Sequence, residues 1–410
     1  MSVTAAARTA PRLDTRLPVL LLRTDHNPFH HGTLAAIRSL GRAGVPVHAV
    51  LEGPGVPAAH SRHLHLLQPW GPAPTRPDHL LGHLRAIAAG IGTRALLVPL
   101  DDAGAIFMAE HGTALCDHFV FPRQRPDAPR LVADKSALAD ACRAHGITSP
   151  DSRTPATAAE LHDAVADLGL PLIAKWARPW ALPPGHRSTT VVRDAAEAHR
   201  LLAESRGATG AAAGALILQR RVGADGGDWF FQGYFDEHAN CLYGGTGRKH
   251  LAYPARAGHT VLGEWAFNPD LEHLAHKVVQ ILGVRGVVDL DFRFDADAGT
   301  YHLLDFNPRL GAQFQLFRDR RGLDLVRAMH LHQSGRAVPA PRPRHGRALL
   351  VENHYLQRAL TAPAAELFRP RRLRGVRELT WFAADDLAPF RAMARRAAAR
   401  ILNREGTDRW

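Results

Sequence analysis

The sequence contains few cysteines and no long apolar segment. Its 410 residues include three widely spaced cysteines, Cys116, Cys142 and Cys241, which match neither a disulfide framework nor a zinc site. No run approaches the roughly 20 apolar residues that a membrane-spanning helix needs, and residues 1–16 are too polar for a secretory signal. We therefore expect a soluble protein of a reducing compartment, namely the cytoplasm, with no membrane partner.

Lysine is also scarce in this sequence. Only four of the 51 basic residues are lysines, namely Lys135, Lys175, Lys249 and Lys277. Because arginine supplies the positive charge almost everywhere else, a retained lysine indicates a position where a compact ammonium on a flexible stem is required. The alternative is that the four lysines are remnants of mutational drift.

The positive charge is concentrated in residues 336–410. This segment contains 16 arginines and 7 acidic residues, so it carries +9 of the net charge of +12. Nucleic-acid binding needs a basic face together with groove-reading or base-stacking elements, and the sequence has no basic–aromatic repeat and no zinc-finger spacing. The composition does not favour a nucleic acid as the main partner, and we expect the segment to pack against the rest of the protein.

The first part of the chain has an α/β pattern. With 46% apolar residues the chain can bury a large core, which excludes a disordered or fibrous protein. Residues 17–22 and 45–50 predict buried parallel strands on either side of a helix over 32–41, which is a βαβ unit. The apolar run 95–100 precedes two aspartates, and polar groups at the carboxyl ends of such strands are where ligands bind.

Three histidines, His26, His30 and His31, lie in the loop after the first predicted strand. In one interpretation they are metal ligands. Because the chain contains 25 histidines, the interpretation that we favour is a solvated loop.

The most informative segment is residues 286–309. Polar and apolar residues alternate in both halves, and residues 295–299 have the composition of a turn, so the segment predicts an antiparallel hairpin. Side chains two apart on a strand share a face. The predicted polar face carries Asp291 opposite Asp305 and Asp289 opposite Asn307. The predicted apolar face carries Leu290, Phe292, Leu304 and Phe306.

The polar face of this hairpin predicts a cation. Carboxylates that oppose each other across a sheet are destabilising, so a hairpin that places Asp291 against Asp305 suggests that a cation neutralises them. A few oxygen ligands completed by substrate phosphates are typical of Mg²⁺ on a nucleotide. The alternative is an exposed hairpin whose aspartates only increase solubility. Arg309, just past Asn307, can bind a phosphoryl or carboxylate group through two hydrogen bonds.

These residues resemble the ATP-grasp superfamily in its carboxylate–amine ligase branch, over about residues 17–335. The family carries an acidic residue on one strand and an acid–x–Asn triplet on the next, often followed by Pro-Arg. Here these are Asp291, the triplet Asp305-Phe-Asn307, and Pro308-Arg309. The resemblance implies that Asp291, Asp305 and Asn307 hold one or two Mg²⁺ (or Mn²⁺) ions that bridge the phosphates of ATP.

The resemblance also gives roles to three of the four lysines. Lys135 opens a predicted helix at the position where the family's nucleotide-binding domain begins. Lys175 ends a predicted strand, like the family's nucleotide-facing lysine. Lys249 follows a later strand, where related ligases place a basic residue near the phosphates. Lys277 lies in an ordinary helix and receives no role.

Residues 216–222 resemble the hinge between the family's two lobes. The resemblance implies that Gln219 accepts a hydrogen bond from the adenine amino group, that Val222 is the aliphatic hinge residue, and that Asp228 bonds a ribose hydroxyl. One segment departs from the family pattern. The family's phosphate-covering loop has several glycines, whose N–H groups wrap the phosphates, whereas the segment after Lys175 has only Gly185.

The fold that the resemblance implies is an α/β protein with the ATP-grasp fold. An N-terminal open parallel α/β domain is followed by two α+β lobes that clasp the nucleotide, and a small basic C-terminal extension ends the chain. The expected boundaries are 1–16 for a flexible N-terminus, 17–125 for the N-terminal domain, 126–335 for the ATP-grasp domain and 336–410 for the basic segment.

The activity that the resemblance implies is that of an ADP-forming ligase. Such an enzyme uses ATP to join a small-molecule carboxylate, through an acyl phosphate, to an amine, and the expected substrates are amino acids or small metabolites. Arg309 and Lys249 are the expected catalytic residues, and a homodimer is left open.

Three alternatives to this ligase are open. The first is an ATP-grasp phosphotransferase, and the second is a non-catalytic protein that docks through its basic C-terminal segment. The third is a Rossmann-type oxidoreductase, although residues 24–32 have one glycine where dinucleotide binding needs three.

Overall fold

The computed structural model describes residues 10–70, 76–183, 185–223, 226–254, 258–361 and 375–402, and this part of the chain forms three β-sheets with helices around them. Residues 1–9 of the predicted flexible N-terminus, and residues 362–374 and 403–410 of the basic segment, lie outside it. Leu13, which falls within the predicted flexible N-terminus, is buried in the hydrophobic core. None of the described helices combines the length and the apolar character needed to cross a bilayer.

A parallel sheet of five strands forms the N-terminal part and confirms its predicted α/β architecture. The strand order is β3-β2-β1-β4-β5. The strands are β1 (Val19–Leu22), β2 (Val47–Leu51), β3 (Leu66–Pro69), β4 (Ala95–Pro99) and β5 (Phe119–Val120), and the helices are α1 (His31–Gly41), α2 (Pro77–Ile91), α3 (Asp102–Glu110) and α4 (Gly112–Leu115). Because β1, β2 and β4 are almost entirely apolar, they can be buried on both faces by these helices.

The loops after β1 and β4 meet at one end of this sheet. The strand order reverses between β1 and β4, and open α/β sheets bind ligands at such a position. The Asp101 carboxylate accepts hydrogen bonds from the backbone N–H of Asp25 at 2.8 Å and of Gly104 at 2.7 Å. It thereby caps α3 and fixes Asp102, the first residue of that helix, at the ligand-binding end of the sheet.

A smaller antiparallel sheet follows, with the strand order β6-β9-β7-β8. Helices α5 (Ala128–Ala133) and α6 (Lys135–His145) lead into it. Its strands are β6 (Ser152–Arg153), β7 (Leu172–Trp176), β8 (Thr189–Val192) and β9 (Leu216–Gln219), and its helices are α7 (Ala158–Leu168), α8 (Ala195–Ser205) and α9 (Ala208–Ala213). The apolar sides of α7 and α8 pack on β7 and β9 and form a separate small core.

The largest sheet has the strand order β14-β13-β10-β11-β12-β15-β16. Its strands are β10 (Asp228–Phe235), β11 (Cys241–Tyr253), β12 (His259–Trp265), β13 (Gly286–Asp295), β14 (Thr300–Asn307), β15 (Ala348–Leu350) and β16 (Val376–Leu379). The remaining helices are α10 (Pro269–Leu282), α11 (Leu325–Gln333), α12 (Glu352–Thr361) and α13 (Ala388–Leu402). Because β15 and β16 come from the basic C-terminal segment, that segment completes the sheet instead of standing apart from it.

The hairpin of β13 and β14 has the predicted register at the end that carries the carboxylates. Asp291 pairs with Asp305, and Asp289 pairs with Asn307, as the alternation of polar and apolar residues indicated. The face behind them packs into a core with α10. The hairpin is therefore a firm support for the polar side chains on its other face.

The prediction for one residue of the apolar face, Leu304, is wrong. The register shifts after Asp291, so that Phe292 pairs with Leu303, and Leu303 is buried while Leu304 is half-buried. An extra residue in one strand interrupts the alternation of faces. The prediction assumed uninterrupted alternation and therefore assigned Leu304 to the core in place of Leu303.

The C-terminal segment packs against α1 through a buried arginine. Arg38 donates to the Asp386 carboxylate at 2.9 Å and to the carbonyls of Thr380 and Trp381 at 3.2 and 2.9 Å. The Ser61 hydroxyl also donates to Asp386, at 2.7 Å. The segment is thus fixed to the N-terminal sheet as well as to the largest sheet.

Candidate active site

The polar face of the hairpin is partly open to solvent. The side chains of Asp291 and Asp305 are 28% and 29% exposed, whereas Asp289 and Asn307 are buried. The Asn307 side-chain amide donates to the Asp289 carbonyl at 3.2 Å. A ligand can therefore reach the first pair of carboxylates, while the second pair of residues supports them.

Each of the accessible carboxylates is paired with one of the rare lysines. Lys249 Nζ of β11 lies 2.7 Å from Asp291 Oδ1, and Lys135 Nζ, at the first residue of α6, contacts Asp305 Oδ1. Burial opposes ionisation of Asp305, but Lys135 and Lys175 hold the pKa of this carboxyl below its usual value. The sequence argument required an external cation to neutralise these carboxylates. In the structure, ammonium groups of the chain itself pair with both carboxylates.

Lys135 is positioned by the start of α6. The Asp134 carboxylate caps this helix by accepting from the backbone N–H groups of Ser136 and Ala137 at 3.0 and 3.2 Å. The backbone N–H of Lys135 donates to the Ala177 carbonyl at 2.8 Å. Since Ala177 follows β7 directly, this bond brings the start of α6 next to the end of the strand that carries Lys175.

Lys175 is held by the irregular part of the hairpin. Its Nζ donates to the Leu304 carbonyl at 2.7 Å, so the residue that interrupts the alternation of β14 supplies the acceptor. Burial lowers the pKa of Lys175 to about 8, although Asp305 favours the charged form. Three of the four lysines, all but Lys277, thus lie around Asp291 and Asp305.

The predicted hinge residues Gln219 and Val222 lie at and just after the end of β9, and both are buried. The Gln219 side-chain amide donates to Ser152 Oγ at 3.1 Å. A cavity of about 10 Å³ is lined by Gln219, Lys135 and Lys175 among others. A space of that size holds about one water molecule, so a nucleotide does not fit there in this conformation.

Asp228 forms an ion pair that the sequence analysis missed. Arg293 of β13 lies 2.6 Å from the Asp228 carboxylate and also donates to the Val222 carbonyl at 3.5 Å. It therefore connects the predicted ribose contact with the predicted hinge. The signal that would have found Arg293 is the period of the strand, because it continues the polar face two residues after Asp291.

Arg309 joins the largest sheet to the N-terminal sheet. Its Nη1 donates to Asp289 Oδ2 at 2.6 Å, and its Nε lies 3.8 Å from Asp102 Oδ1. Burial disfavours the charged guanidinium, but Asp289 and Asp102 raise the pKa of Arg309 above its usual value. Gln232 fixes Asp289 from the other side at 3.0 Å, and a Cβ at Gly311 would lie 2.1 Å from the Gln232 amide, so a larger residue there would displace that amide.

Four histidines form a cluster beside Arg309. Ring centroids are 6.5 Å apart for His30 and His31, 6.1 Å for His31 and His354, and 5.9 Å for His354 and His259. Burial lowers the pKa of each of them, and that of His354 to about 4. Arg309 further lowers the pKa values of His30 and His259. These imidazoles are therefore neutral at physiological pH.

The prediction of a solvated loop is wrong for His31. This residue is 5% exposed, and its Nε2 is buried without a hydrogen-bond partner among the described residues. The loop is covered because His354, on α12 of the C-terminal segment, packs edge-on against His31. The metal-ligand interpretation gains no support either, since no group of three or more His, Cys, Asp or Glu residues that could hold a metal occurs among the described residues.

No family model and no curated protein matches this sequence. The structure is similar to N5-carboxyaminoimidazole synthetase from Staphylococcus aureus complexed with ADP, with a TM-score of 0.61 and 10% identity over 83% of each chain. It is also similar to the biotin carboxylase–β,γ-ATP complex from Campylobacter jejuni, with a TM-score of 0.59 and 17% identity over 81% of this chain and 74% of that one. L-amino acid ligase from Bacillus licheniformis gives a TM-score of 0.58 and 14% identity over 82% and 79%.

These similar structures are of ATP-grasp carboxylate–amine ligases. At sequence identities this low, the similarity establishes the fold. The chain has the ATP-grasp fold, as its acidic hairpin and its lysines indicated.

Proposed function

We propose that this protein is an ATP-dependent, ADP-forming ligase that joins a carboxylate to an amine through an acyl phosphate. The observation that carries the proposal is the placement of Lys135, Lys175 and Lys249 around Asp291 and Asp305 on a chain with the ATP-grasp fold. Phosphoryl transfer depends on positioning and on neutralisation of charge, with little covalent work for the protein. Ammonium groups beside two accessible carboxylates suit that requirement.

The donor atoms on the hairpin fit a divalent cation. Asp291, Asp305 and Asn307 offer oxygen ligands at neighbouring positions of one face, and both carboxylates are partly exposed. Three ligands are too few to fill an octahedral shell, which is usual for Mg²⁺ or Mn²⁺ when phosphates complete it. When bound, the ion neutralises charge on the phosphates.

Nucleotide binding exchanges the partners in the two lysine–aspartate pairs. Lys135 and Lys249 leave Asp305 and Asp291 for the phosphates, and the carboxylates become free for the cation. The exchange leaves no charge unpaired in the site, which avoids the large cost of an isolated buried charge. Lysine suits this role because its ammonium is compact and its stem is flexible.

The adenine is expected to bind at the end of β9. Gln219 accepts from its amino group, Val222 packs against it, and Asp228 bonds the ribose. Because the space beside Gln219 amounts to about 10 Å³, it must widen before the nucleotide can enter. Arg293 bonds both Asp228 and the Val222 carbonyl, so it spans the place where this opening occurs.

The chemistry divides into two steps on one side of the hairpin. The substrate carboxylate attacks the γ-phosphorus and ADP leaves, and the amine then displaces phosphate from the acyl phosphate to give the amide. Lys135, Lys175 and Lys249 neutralise the charge on the transferring phosphoryl group. Arg309 holds the reacting carboxylate and then the acyl phosphate, and its contacts with Asp289 and Asp102 keep it charged and oriented.

The substrates are expected to bind between Arg309 and the histidine cluster. Neutral imidazoles can accept the proton that the amine loses when it attacks the acyl phosphate. The Nε2 of His31 is buried with no hydrogen-bond partner in the described part of the chain, so it is a candidate to bond a substrate. His354 packs against His31 and so gives the C-terminal segment a part in this site.

The proposal is tested by the release of ADP from the purified full chain. ATP and Mg²⁺ are supplied with pools of amino acids and small carboxylic acids, and the products are identified by mass spectrometry. We expect ADP release that depends on both an acid and an amine, with an amide as product. A phosphorylated product would identify a phosphotransferase instead, and the absence of ADP release with every pool would contradict an enzymatic function.

The metal assignment is tested by Asp305→Asn. The variant keeps the shape of the side chain but removes the charge that binds the cation, so we expect ADP release to fall by about 10²- to 10³-fold. Asp297→Asn, at the exposed turn of the same hairpin, is the matched control and should leave the rate unchanged. Unimpaired ADP release by a folded Asp305→Asn protein would refute the assignment.

A further inference from the structure

A second cavity, with a volume of about 190 Å³, lies between α3 and the start of β13. Its walls are mainly apolar and include Met108 of α3, Phe121 after β5, Val287 of β13 and Met329 of α11. The cavity shares no lining residue with the small space beside Lys175, and none of the residues assigned above to ATP, metal or substrate lines it. The proposed ligase reaction therefore does not account for it.

One of the residues that line the cavity, Arg123, is a solvent-exposed cation. Arg123 lines the cavity, is exposed, and forms no ion pair with any described residue. Arg125, two residues further along, differs because it pairs with Asp127 at 3.3 Å. Arg285 also lines the cavity, but its guanidinium donates to backbone carbonyls. Arg123 is thus the group that can bind an anion at the mouth.

The volume limits the size of an occupant. An apolar cavity of about 150 Å³ binds benzene, so 190 Å³ admits a body of one six-membered ring with a small substituent. Apolar walls favour an apolar body, and polar groups at the rim orient a ligand. A guanidinium recognises a carboxylate through paired hydrogen bonds. Together these features indicate that the ligand is a compact carboxylic acid.

The cavity adjoins the segments that hold Arg309. Pro308, which directly precedes Arg309, lines the cavity, and so does Pro99 at the end of β4. The Pro99 carbonyl accepts a hydrogen bond from the backbone N–H of Leu310, the residue after Arg309, at 3.2 Å. An occupant therefore contacts the same backbone that positions this arginine.

We propose that this cavity is an accessory binding site for a small carboxylic acid with a compact, single-ring apolar body, whose carboxylate pairs with Arg123. The site is separate from the ATP and substrate sites, so its occupation requires neither nucleotide nor turnover.

Methionine signals provide a direct test with benzoate as the probe. The chain has four methionines, and two of them, Met108 and Met329, line the cavity. In the full chain labelled at the methionine methyl groups, we expect benzoate at millimolar concentrations to shift the NMR signals of Met108 and Met329. The signal of Met393, on α13, is the internal control and should not move. No shift of either cavity signal, or equal shifts of Met393, would overturn the proposal.

Two variants test the apolar cavity and the contact with Arg123 separately. Ala109→Trp places a large ring into the cavity from a half-buried position on α3 and should abolish the benzoate shifts. Arg123→Ala should weaken benzoate binding about two- to fivefold, as expected for a partly exposed ion pair, and leave the binding of benzyl alcohol unchanged. Arg125→Ala is the matched control and should change neither.

Each variant also provides a result that contradicts the proposal. Benzoate shifts that persist in a folded Ala109→Trp protein would place the ligand elsewhere. Equal weakening of benzoate and benzyl alcohol by Arg123→Ala would remove the carboxylate pairing. Because Arg123 is exposed, its variant is expected to fold even if Ala109→Trp does not. None of these measurements uses ATP, so they are independent of the proposed ligase activity.

Discussion

Two regions of this molecule contain buried or half-buried ion pairs, and they are built differently. Where the C-terminal segment meets α1, Arg38 and Asp386 are almost completely buried, and each has several further partners. On the hairpin of β13 and β14, Lys135 and Lys249 each contact one carboxylate, and these carboxylates are more than a quarter exposed. The first region is a fixed joint, whereas in the proposed function the second is a set of charges that can exchange partners.

The choice of residue explains this difference. A guanidinium is planar and offers several donors in a fixed geometry, so Arg38 can bond a carboxylate and two backbone carbonyls at once. An ammonium is a compact charge on a flexible stem, and its contact with one carboxylate can be replaced by contact with a phosphate. This exchange is the role that we propose for Lys135 and Lys249.

The largest expected effect on stability is that of breaking the fixed joint. Arg38→Ala leaves Asp386 buried without its cation, and removal of one partner of a buried pair costs about 3–5 kcal/mol. We expect a loss of this size in the free energy of unfolding measured by urea denaturation. A loss below about 1 kcal/mol would contradict the view that this pair anchors the C-terminal segment.

Breaking a lysine–aspartate pair on the hairpin should lower activity strongly and stability only slightly. Lys135→Met removes a charge that neutralises the phosphoryl group, and we expect ADP release to fall about 100-fold or more. The free energy of unfolding should change little, because Asp305 is partly exposed and can be hydrated. Lys277→Met, the same substitution on α10, is the control and should leave the rate unchanged. A large loss of stability with full activity would reverse the comparison.

A smaller effect concerns the protonation of Lys175. Since burial lowers its pKa to about 8, this amine should lose its charge near pH 8, well before an ordinary lysine. With four lysines in the chain, NMR of labelled lysine side chains can follow each amine separately. We expect one signal to titrate near pH 8 and to disappear in Lys175→Arg. The signal of Lys249 should titrate above the usual range, because Asp291 raises its pKa despite burial.

The lowered pKa of Lys175 also predicts how stability and ATP affinity change with pH. Because the folded-state pKa is lowered, the unfolded chain binds more protons between about pH 8 and the usual lysine range, so this residue makes the protein more stable as the pH rises through that window. ATP affinity should change in the opposite direction and fall above pH 8, as the positive charge is lost. Lys175→Arg should abolish that decline. An ATP affinity that does not depend on pH between 7 and 9 would contradict the role of Lys175.

The smallest expected effect is at an exposed pair near the fixed joint. Arg42 and Asp385 form an ion pair at 2.7 Å, but their side chains are 29% and 50% exposed. Arg42→Ala should therefore lower the free energy of unfolding by less than about 1 kcal/mol. This variant serves as the control for Arg38→Ala, since both arginines lie at α1. Equal losses for the two variants would show that burial does not distinguish them.

The sequence was most informative where interactions are local. The alternation of residues in β13 and β14 predicted the pairing of Asp291 with Asp305, because the two strands are joined by a short turn. It failed at Leu304, where one extra residue changes which side chain is buried. The scarcity of lysine singled out four positions, and the family resemblance selected Lys135, Lys175 and Lys249, which are far apart in the chain and lie together in the structure.

Other parts of the candidate site could not be predicted from local patterns. The alternation along β13 places Arg293 on the polar face. Its partner Asp228 lies on another strand, however, and no spacing in the sequence connects the two residues. His31 and His354 are separated by most of the chain, so their contact depends on where α12 packs. The partners of Arg309 are Asp289 on β13 and Asp102 at the start of α3, which are far apart in the chain.

The sequence by itself determined the α/β architecture, the acidic hairpin and the identity of the residues that surround it. The architecture and the hairpin follow from apolar runs, from the alternation of side chains along a strand and from turn chemistry, which act over a few residues, whereas the lysines were singled out by their scarcity and by the family resemblance. Only the tertiary structure decided which lysine meets which carboxylate, and that the C-terminal segment completes the largest sheet and contributes a histidine beside Arg309. Those contacts join distant segments, and they are selected by packing and by the cost of leaving a buried charge unpaired.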